Sequence, residues 1–281
     1  MKGAEFDARG LEGVIAQAAI AAGRAILSAK VDRSSVATKA DGSPVTQADL
    51  FAEKIIRERL GLAAPDLLVV GEEGGLPEGD QPLPQTFVLV DPLDGTRDYL
   101  AGSSEYTVNI ALIERERAVT GVIYAPALGR LFVGSPAGAW EISVGASTAP
   151  SVELFSLPRK PIHVRPVSEG GPLALESRSH PNPATEAALA LLRPTARSSI
   201  GSSLKFALIA AGEADLYPRG ISLNEWDIAA GDAVLTAAGG AVLTFEGEPL
   251  RYGGLARGMK VPPFVAIGDS KLRRRLVRLR R

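Results

Sequence analysis

The chain has 281 residues, 46% hydrophobic and 22% charged, enough to bury one large core or two modest ones as an ordinary globular protein. A formal net charge of −1 gives no general attraction to nucleic acid, so an anionic ligand must be held by local charges. The absence of cysteine excludes disulfides, thiolate metal sites and a cysteine nucleophile, and suits a reducing compartment.

The N-terminus lacks the basic-then-apolar pattern of a secretion signal, and Arg24 breaks the Ala-rich opening run before spanning length, so a cytoplasmic protein is expected. Residues 13–30 set Ile15, Ala19, Ala22 and Ile26 at helical spacing. A turn-rich link, Thr38-Lys39-Ala40-Asp41-Gly42-Ser43-Pro44-Val45, leads into a second helix ending near Gly61. Thr46 and Asp49, three residues apart, read as its capping pair, the acid being favoured by the helix dipole.

Residues 66–71 form a short apolar strand running into Glu72-Glu73-Gly74-Gly75. A second apolar run ends in Asp91-Pro92-Leu93-Asp94-Gly95-Thr96. Proline ends a ladder and glycine permits a tight turn, so both acids are expected on a loop at the strand's carboxyl end. Gly95 and Thr96 would offer backbone N–H groups to an anion. If the two strands are neighbours, Glu72, Asp91 and Asp94 come together. Paired acids beside an anion cradle suit hard cations lying between protein and phosphate. An ordinary turn rich in Asp, Pro and Gly fits the spacing equally well.

Residues 106–113, 118–125 and 130–134 read as β segments, with Arg115-Glu116-Arg117 as a hairpin tip. The Ser-, Pro- and Gly-dense stretch 143–172 reads as a link between an N-terminal α+β subdomain, 1–150, and a C-terminal α/β subdomain, 151–281. Strands are expected at 173–177, 214–217, 241–245 and 264–268. Helices are expected after Pro183, around 203–211, and from Trp226 to Ala238, where Gly239-Gly240 stops the last. The basic tail 271–281 puts Leu272, Leu276 and Leu279 on one helical face, the pattern of a docked surface helix. Peripheral attachment to an anionic membrane is the less favoured reading.

The late helix opens Asn224-Glu225-Trp226-Asp227, where Asp227 alone is only an N-terminal helix acid. Together with Gly-Glu-Glu and Asp-Pro-Leu-Asp-Gly-Thr it completes a three-part signature. The chain thereby resembles the lithium-sensitive, magnesium-dependent phosphatases of the inositol monophosphatase superfamily. Five segments resemble its bacterial 3′(2′),5′-bisphosphate nucleotidase branch: residues 39–46, Ser177-Arg178-Ser179-His180, Gly201-Ser202-Ser203-Leu204-Lys205-Phe206, Leu216-Tyr217-Pro218-Arg219, and Trp226-Asp227 running into Ala229-Ala230-Gly231. Gly71, Gly74 and the pair Arg97-Asp98 depart from the branch's pattern.

The resemblance implies an αβαβα sandwich of two subdomains and a hydrolase that converts adenosine 3′,5′-bisphosphate to AMP and phosphate in sulfate assimilation. The sulfated relative of that nucleotide is a second substrate. It implies two or three Mg²⁺ ions held by Glu72, Asp91, the Leu93 carbonyl, Asp94 and Asp227. Asp49 and Thr96, with Glu72, would activate water. Gly95, Thr96, His180, Ser202, Lys205, Arg219 and Asp227 would surround the substrate. The partner is then a small nucleotide and not nucleic acid, and the protein a monomer or homodimer. An inositol or sugar monophosphatase on the same fold is the nearest alternative. A regulatory homologue binding RNA or a transcription complex is the more distant one, supported by the basic tail alone.

Overall fold

Two helices, α1 (Ala8–Ser28) and α2 (Gln47–Ala63), pack together at the start of the chain in the computed structural model, which describes residues 8–29, 36–39, 42–76, 82–145, 156–178 and 182–276. Between them β1 (Ala37–Thr38) and β2 (Pro44–Val45) form a small antiparallel pair. Arg24 does not shorten the apolar run as expected: Gly10–Ser28 is long and apolar enough by composition to cross a membrane. Two charges, Glu12 and Arg24, among 19 residues leave the average apolar, and that apolar face packs on a sheet, with Ile15, Ile20 and Ile26 fully buried.

A seven-stranded sheet runs in the order β3 (Leu68–Gly71), β4 (Thr86–Asp94), β5 (Thr107–Glu114), β6 (Arg117–Ala125), β7 (Arg130–Ser135), β8 (Gly138–Ser143) and β9 (Arg159–Pro161). Only β3 and β4 are parallel; the rest pair antiparallel. Arg115 and Glu116, both at positive φ, make the expected hairpin tip between β5 and β6. The sheet takes its last strand from the segment expected to be a link. That edge strand, Arg-Lys-Pro, is exposed throughout, so no apolar alternation marks it. Both faces of the sheet are covered. On β5, Val108, Ile110 and Leu112 pack beneath α1 and α2, whereas Ala111 and Ile113 face the opposite core.

After β4 comes a short helix, α3 (Thr96–Leu100). The second half runs β10 (Leu173–Ser177), α4 (Pro183–Leu192), β11 (Ala196–Ile200), α5 (Leu204–Ala210), β12 (Leu216–Arg219), β13 (Leu223–Asn224), α6 (Glu225–Ala237), β14 (Ala241–Thr244), β15 (Lys260–Val261), β16 (Phe264–Ile267) and α7 (Ser270–Leu276). A five-stranded mixed sheet, in the order β11-β10-β12-β16-β14, is separated from the first sheet by α5 and α6. On its other side α4 and α7 close a third core around Leu189, Leu192 and Leu272. The layers are therefore α1/α2, sheet, α5/α6, sheet, α4/α7: an αβαβα sandwich. Strand β11 carries no strand signal in its sequence, because Ala-Arg-Ser-Ser-Ile is largely exposed and polar at its three central positions. Of the basic tail, Leu272 is buried and Arg275 donates to the Leu192 carbonyl at 2.6 Å; residues 277–281 and the Leu276 side chain lie outside the described residues.

One contact sets the position of α6. A Cβ on Gly121 of β6 would lie 2.4 Å from the Ala230 carbonyl oxygen, and one on Gly134 of β7 would lie 2.5 Å from the Val234 Cα. The two glycines let the helix backbone rest directly on the first sheet.

Candidate active site

The parallel register of β3 and β4 pairs Gly71 with Val90, so Glu72 and Asp91 leave the two strands side by side. The Glu72 N–H donates to the Val90 carbonyl at 3.1 Å, continuing the ladder by one bond. Asp91 and Asp94 do not sit on a loop as expected. Both remain in β4, opposite Asn109 and Thr107 of β5, with a register break between them. That bulge absorbs Pro92, which has no N–H to donate, and the Leu93 N–H donates instead to Asp91 Oδ1 at 3.1 Å. Gly95 follows at φ +90° and turns the chain into α3, which opens with Thr96.

Helix α2 brings in a fourth acid. Thr46 is its extended N-cap, and Asp49 Oδ2 accepts from the Thr46 N–H at 2.8 Å and from its hydroxyl at 2.6 Å. Asp49 Oδ1 faces the other way and lies 3.1 Å from the Thr96 hydroxyl, itself 3.1 Å from the Leu93 carbonyl oxygen. One residue is thus both cap and site. Helix α6 repeats the device, with Asp227 Oδ2 accepting from the Asn224 N–H at 2.9 Å.

Glu72, Asp91, Leu93, Asp94 and Asp227 line one cavity of about 260 Å³. Burial pushes the Asp91 carboxyl well above the ordinary range, and the charges of Glu72, Asp94 and Asp227 push it further. Burial, then Asp94 and Glu72, do the same to Asp227. Asp94 is pushed up to about 6 by burial, held back by Lys205 and by the Ser203 N–H, which donates to Asp94 Oδ2 at 2.5 Å. Two carboxylates 4 Å apart repel by about 4 kcal/mol at an effective dielectric near 20. Among the described residues no three acids or histidines are knit closely enough to hold a metal ion as they stand. The donor set nevertheless fits hard divalent cations: four carboxylates and a carbonyl, oxygen only, in a cluster whose own charges oppose ionisation.

Lys39 adds a positive charge that no motif assigned to the site. Its ammonium lies 2.6 Å from Glu72 Oε1 and 2.6 Å from Glu73 Oε1. Burial disfavours that charge, but the two carboxylates outweigh it and hold the Lys39 pKa above its ordinary value. Glu73 is itself pushed up to about 7 by burial, against the pull of Lys39.

The opposite wall is cationic. Ser202, at φ +51°, sits in a strained turn between β11 and α5. Lys205 is buried beneath it and donates to the Ile200 carbonyl at 3.0 Å and the Ser202 carbonyl at 2.5 Å, with its ammonium 4.9 Å from the Tyr217 ring centre. Burial lowers its pKa to about 8 despite nearby Asp94. Arg219 lines the same cavity, is only 4% exposed, and has a buried Nε without a partner among the described residues. His180 lies outside the described residues.

Arg178, to which its sequence motif gave no role, follows β10 at the cavity rim and reaches across to the segment after β4. It bonds Asp98 at 2.7 Å and Glu105 at 2.5 Å, and Glu105 accepts from the Gly201 N–H at 2.8 Å. Asp98, one of the departures from the branch pattern, was the available signal for that partner.

The family model for inositol monophosphatases matches residues 8–278. The chain belongs to the inositol monophosphatase family. Within the family, the 3′(2′),5′-bisphosphate nucleotidase CysQ of Shigella flexneri is 42% identical over 219 residues, 77% of this chain and 82% of that protein. The Nus factor SuhB of Xylella fastidiosa is 32% identical over 237 residues, covering 83% of this chain and 82% of its own. The crystal structure of CysQ from Bacteroides thetaiotaomicron superposes with a TM-score of 0.74 at 33% identity, covering 94% of this chain and 98% of that one. The family's αβαβα architecture, expected from the motifs, is the one found.

Proposed function

We propose that the chain is a Mg²⁺-dependent 3′(2′),5′-bisphosphate nucleotidase, releasing phosphate from adenosine 3′,5′-bisphosphate to leave AMP, and acting also on the sulfated form of that nucleotide. The observation that carries the reading is one cavity with four buried or half-buried acids on one wall and Lys205 and Arg219 on the other. A monoester phosphate belongs at the acidic wall once divalent ions neutralise it; a second phosphate belongs at the cationic wall. An inositol monophosphate lacks that second phosphate and leaves the Arg219 Nε unsatisfied.

Glu72, Asp91, the Leu93 carbonyl, Asp94 and Asp227 would hold two or three Mg²⁺. Bound there, Mg²⁺ supplies an acidified water and neutralises charge on the phosphate and the departing oxygen. The chain's own residues supply the rest. The Thr96 hydroxyl accepts from the attacking water and passes its own proton toward Asp49 Oδ1, 3.1 Å away. The Thr46 N–H and hydroxyl fix the Asp49 carboxylate from behind, so that Oδ1 alone remains for this task. Gly95 and Thr96 turn backbone N–H groups to the phosphate. Ser202, Lys205, Arg219 and His180 hold the nucleotide. Similarity to CysQ supports this substrate class, and the cysteine-free composition supports a cytoplasmic location.

The test is phosphate release from adenosine 3′,5′-bisphosphate and from inositol 1-phosphate, each with Mg²⁺ and with chelator. Mg²⁺-dependent turnover that favours the nucleotide by tenfold or more in kcat/KM, about 1.4 kcal/mol, is expected. Equal or reversed preference would replace the proposal with an inositol or sugar monophosphatase. No release from either substrate would favour the regulatory reading over an enzyme.

A further inference from the structure

The turn that carries Glu72 is held from beneath by two residues of α2. Glu53 lies one helical turn after Asp49 on the same face and is 3% exposed. Its Oε2 accepts from the Glu73 N–H at 2.8 Å, twenty residues away in sequence. Its Oε1 takes the Arg57 guanidinium at Nε (2.8 Å) and Nη2 (2.7 Å). Arg57 then reaches on with Nη1 to the Val69 carbonyl of β3 at 2.9 Å. An ordinary exposed helix pair touches only its own helix, as Lys54 and Glu58 do at 3.9 Å. Glu53 and Arg57 instead grip the strand leading into the turn and the backbone of the turn itself.

The two glycines that depart from the branch pattern mark the same grip. A Cβ on Gly71 would lie 2.4 Å from Glu53 Oε1, and one on Gly74 would lie 2.1 Å from Arg57 Nη2. Neither glycine has a positive φ, so neither is needed for backbone freedom. What they provide is room for the carboxylate and the guanidinium. Residues 71, 73 and 74 all meet the clamp, and Glu72 is the one between them.

We propose that Glu53 and Arg57 are positioning residues for metal binding: through residues 71, 73 and 74 they fix the Glu72 carboxylate, and α2 thereby sets the separation of Asp49 from Glu72. This rests on the reading of Glu72 as a metal ligand. Outer partners of a ligating carboxylate typically change metal affinity by tenfold to a hundredfold.

The test compares Glu53→Ala, Glu53→Gln, Arg57→Ala and Gly74→Ala in the full-length protein. Mg²⁺ affinity is measured by calorimetry without substrate, turnover at saturating Mg²⁺, and melting temperature in chelator. Glu53→Ala, Arg57→Ala and Gly74→Ala should each weaken Mg²⁺ about tenfold or more, with turnover at saturation reduced about threefold or less. Glu53→Gln, whose amide oxygen still accepts from Glu73 but whose NH2 cannot accept from Arg57, should recover only part of the affinity. Gly74→Ala presses on the far end of a flexible side chain, so it folds even if Glu53→Ala does not. Wild-type Mg²⁺ affinity in folded Gly74→Ala and Arg57→Ala would overturn the clamp. Glu72→Gln separates the two ideas: it must lose Mg²⁺ affinity, and if it does not, the ligand assignment itself is wrong.

Discussion

Asp91 should be a residue whose loss makes the metal-free protein more stable. It is 1% exposed, and its pKa is raised by burial and then by Glu72, Asp94 and Asp227. Asp91→Asn keeps the shape and an oxygen for the Leu93 N–H but removes one charge from the cluster. A folded carboxyl that keeps its proton where the unfolded one has already ionised contributes a penalty at neutral pH, which Asn does not carry. For a chain of this length each kcal/mol so recovered raises the melting temperature in chelator by roughly 2–4 °C. The sign with pH follows. Where the folded carboxyl holds a proton that the unfolded one has lost, stability falls as pH rises, so the advantage of Asn opens above about pH 4 and vanishes below it. Mg²⁺ should act in the opposite sense. At a hundred times its Kd it stabilises the wild type by about 2.7 kcal/mol, roughly 5–10 °C, and this rise should be absent from the variant. Differential scanning fluorimetry, with and without chelator at pH 4 and pH 7.5, reads all four states. An Asp91→Asn protein that melts at or below wild type in chelator, or keeps the Mg²⁺-driven rise, refutes the reasoning.

Thr96→Ala should leave Mg²⁺ affinity near wild type and lower turnover by about a hundredfold or more, measured by single-turnover phosphate release; wild-type turnover would remove the Thr96–Asp49 pair from the mechanism. Lys205→Ala deletes two bonds to the strained Ser202 turn and one cation from the wall, so KM for adenosine 3′,5′-bisphosphate should rise by about tenfold or more. An unchanged KM would show that the ammonium serves neither purpose. Away from the cavity, burial pushes Asp232 up to about 6, although the Tyr252 and Thr236 hydroxyls both donate to it. Asp232→Asn should therefore be more stable by about 1–3 kcal/mol above pH 6 and equal to wild type below about pH 4, by denaturant melts.

Much of this site is legible in the sequence because its parts sit at element ends. Gly-Glu-Glu and Asp-Pro-Leu-Asp each close an apolar strand, and Asp49 and Asp227 each stand three residues after a cap. What the sequence hides is which side chains answer one another across the fold. Lys39 meets Glu72 only because a two-stranded ribbon brings a turn-rich link over the cavity. Glu53 and Arg57 stand four residues apart on α2, a spacing that does not show that they also bond the Glu73 N–H and the Val69 carbonyl. The edge strand β9 carries no apolar alternation because it has only one neighbour, and the bulge at Pro92 retains in the sheet two acids that proline should have expelled. Side chains that pack against their own element announce themselves; those that answer a distant one do not.

The bond from the Ser203 N–H to Asp94 joins the turn between β11 and α5 to a carboxylate of β4. Ser203 reinforces it through its hydroxyl, 2.6 Å from Asn109 Oδ1 and 2.8 Å from Thr107 Oγ1. Any bias that occupancy at one end exerts on the other must be reciprocal, the two effects being equal in size. A nucleotide that tightens the turn must raise cation affinity by the same factor by which the cation raises its own.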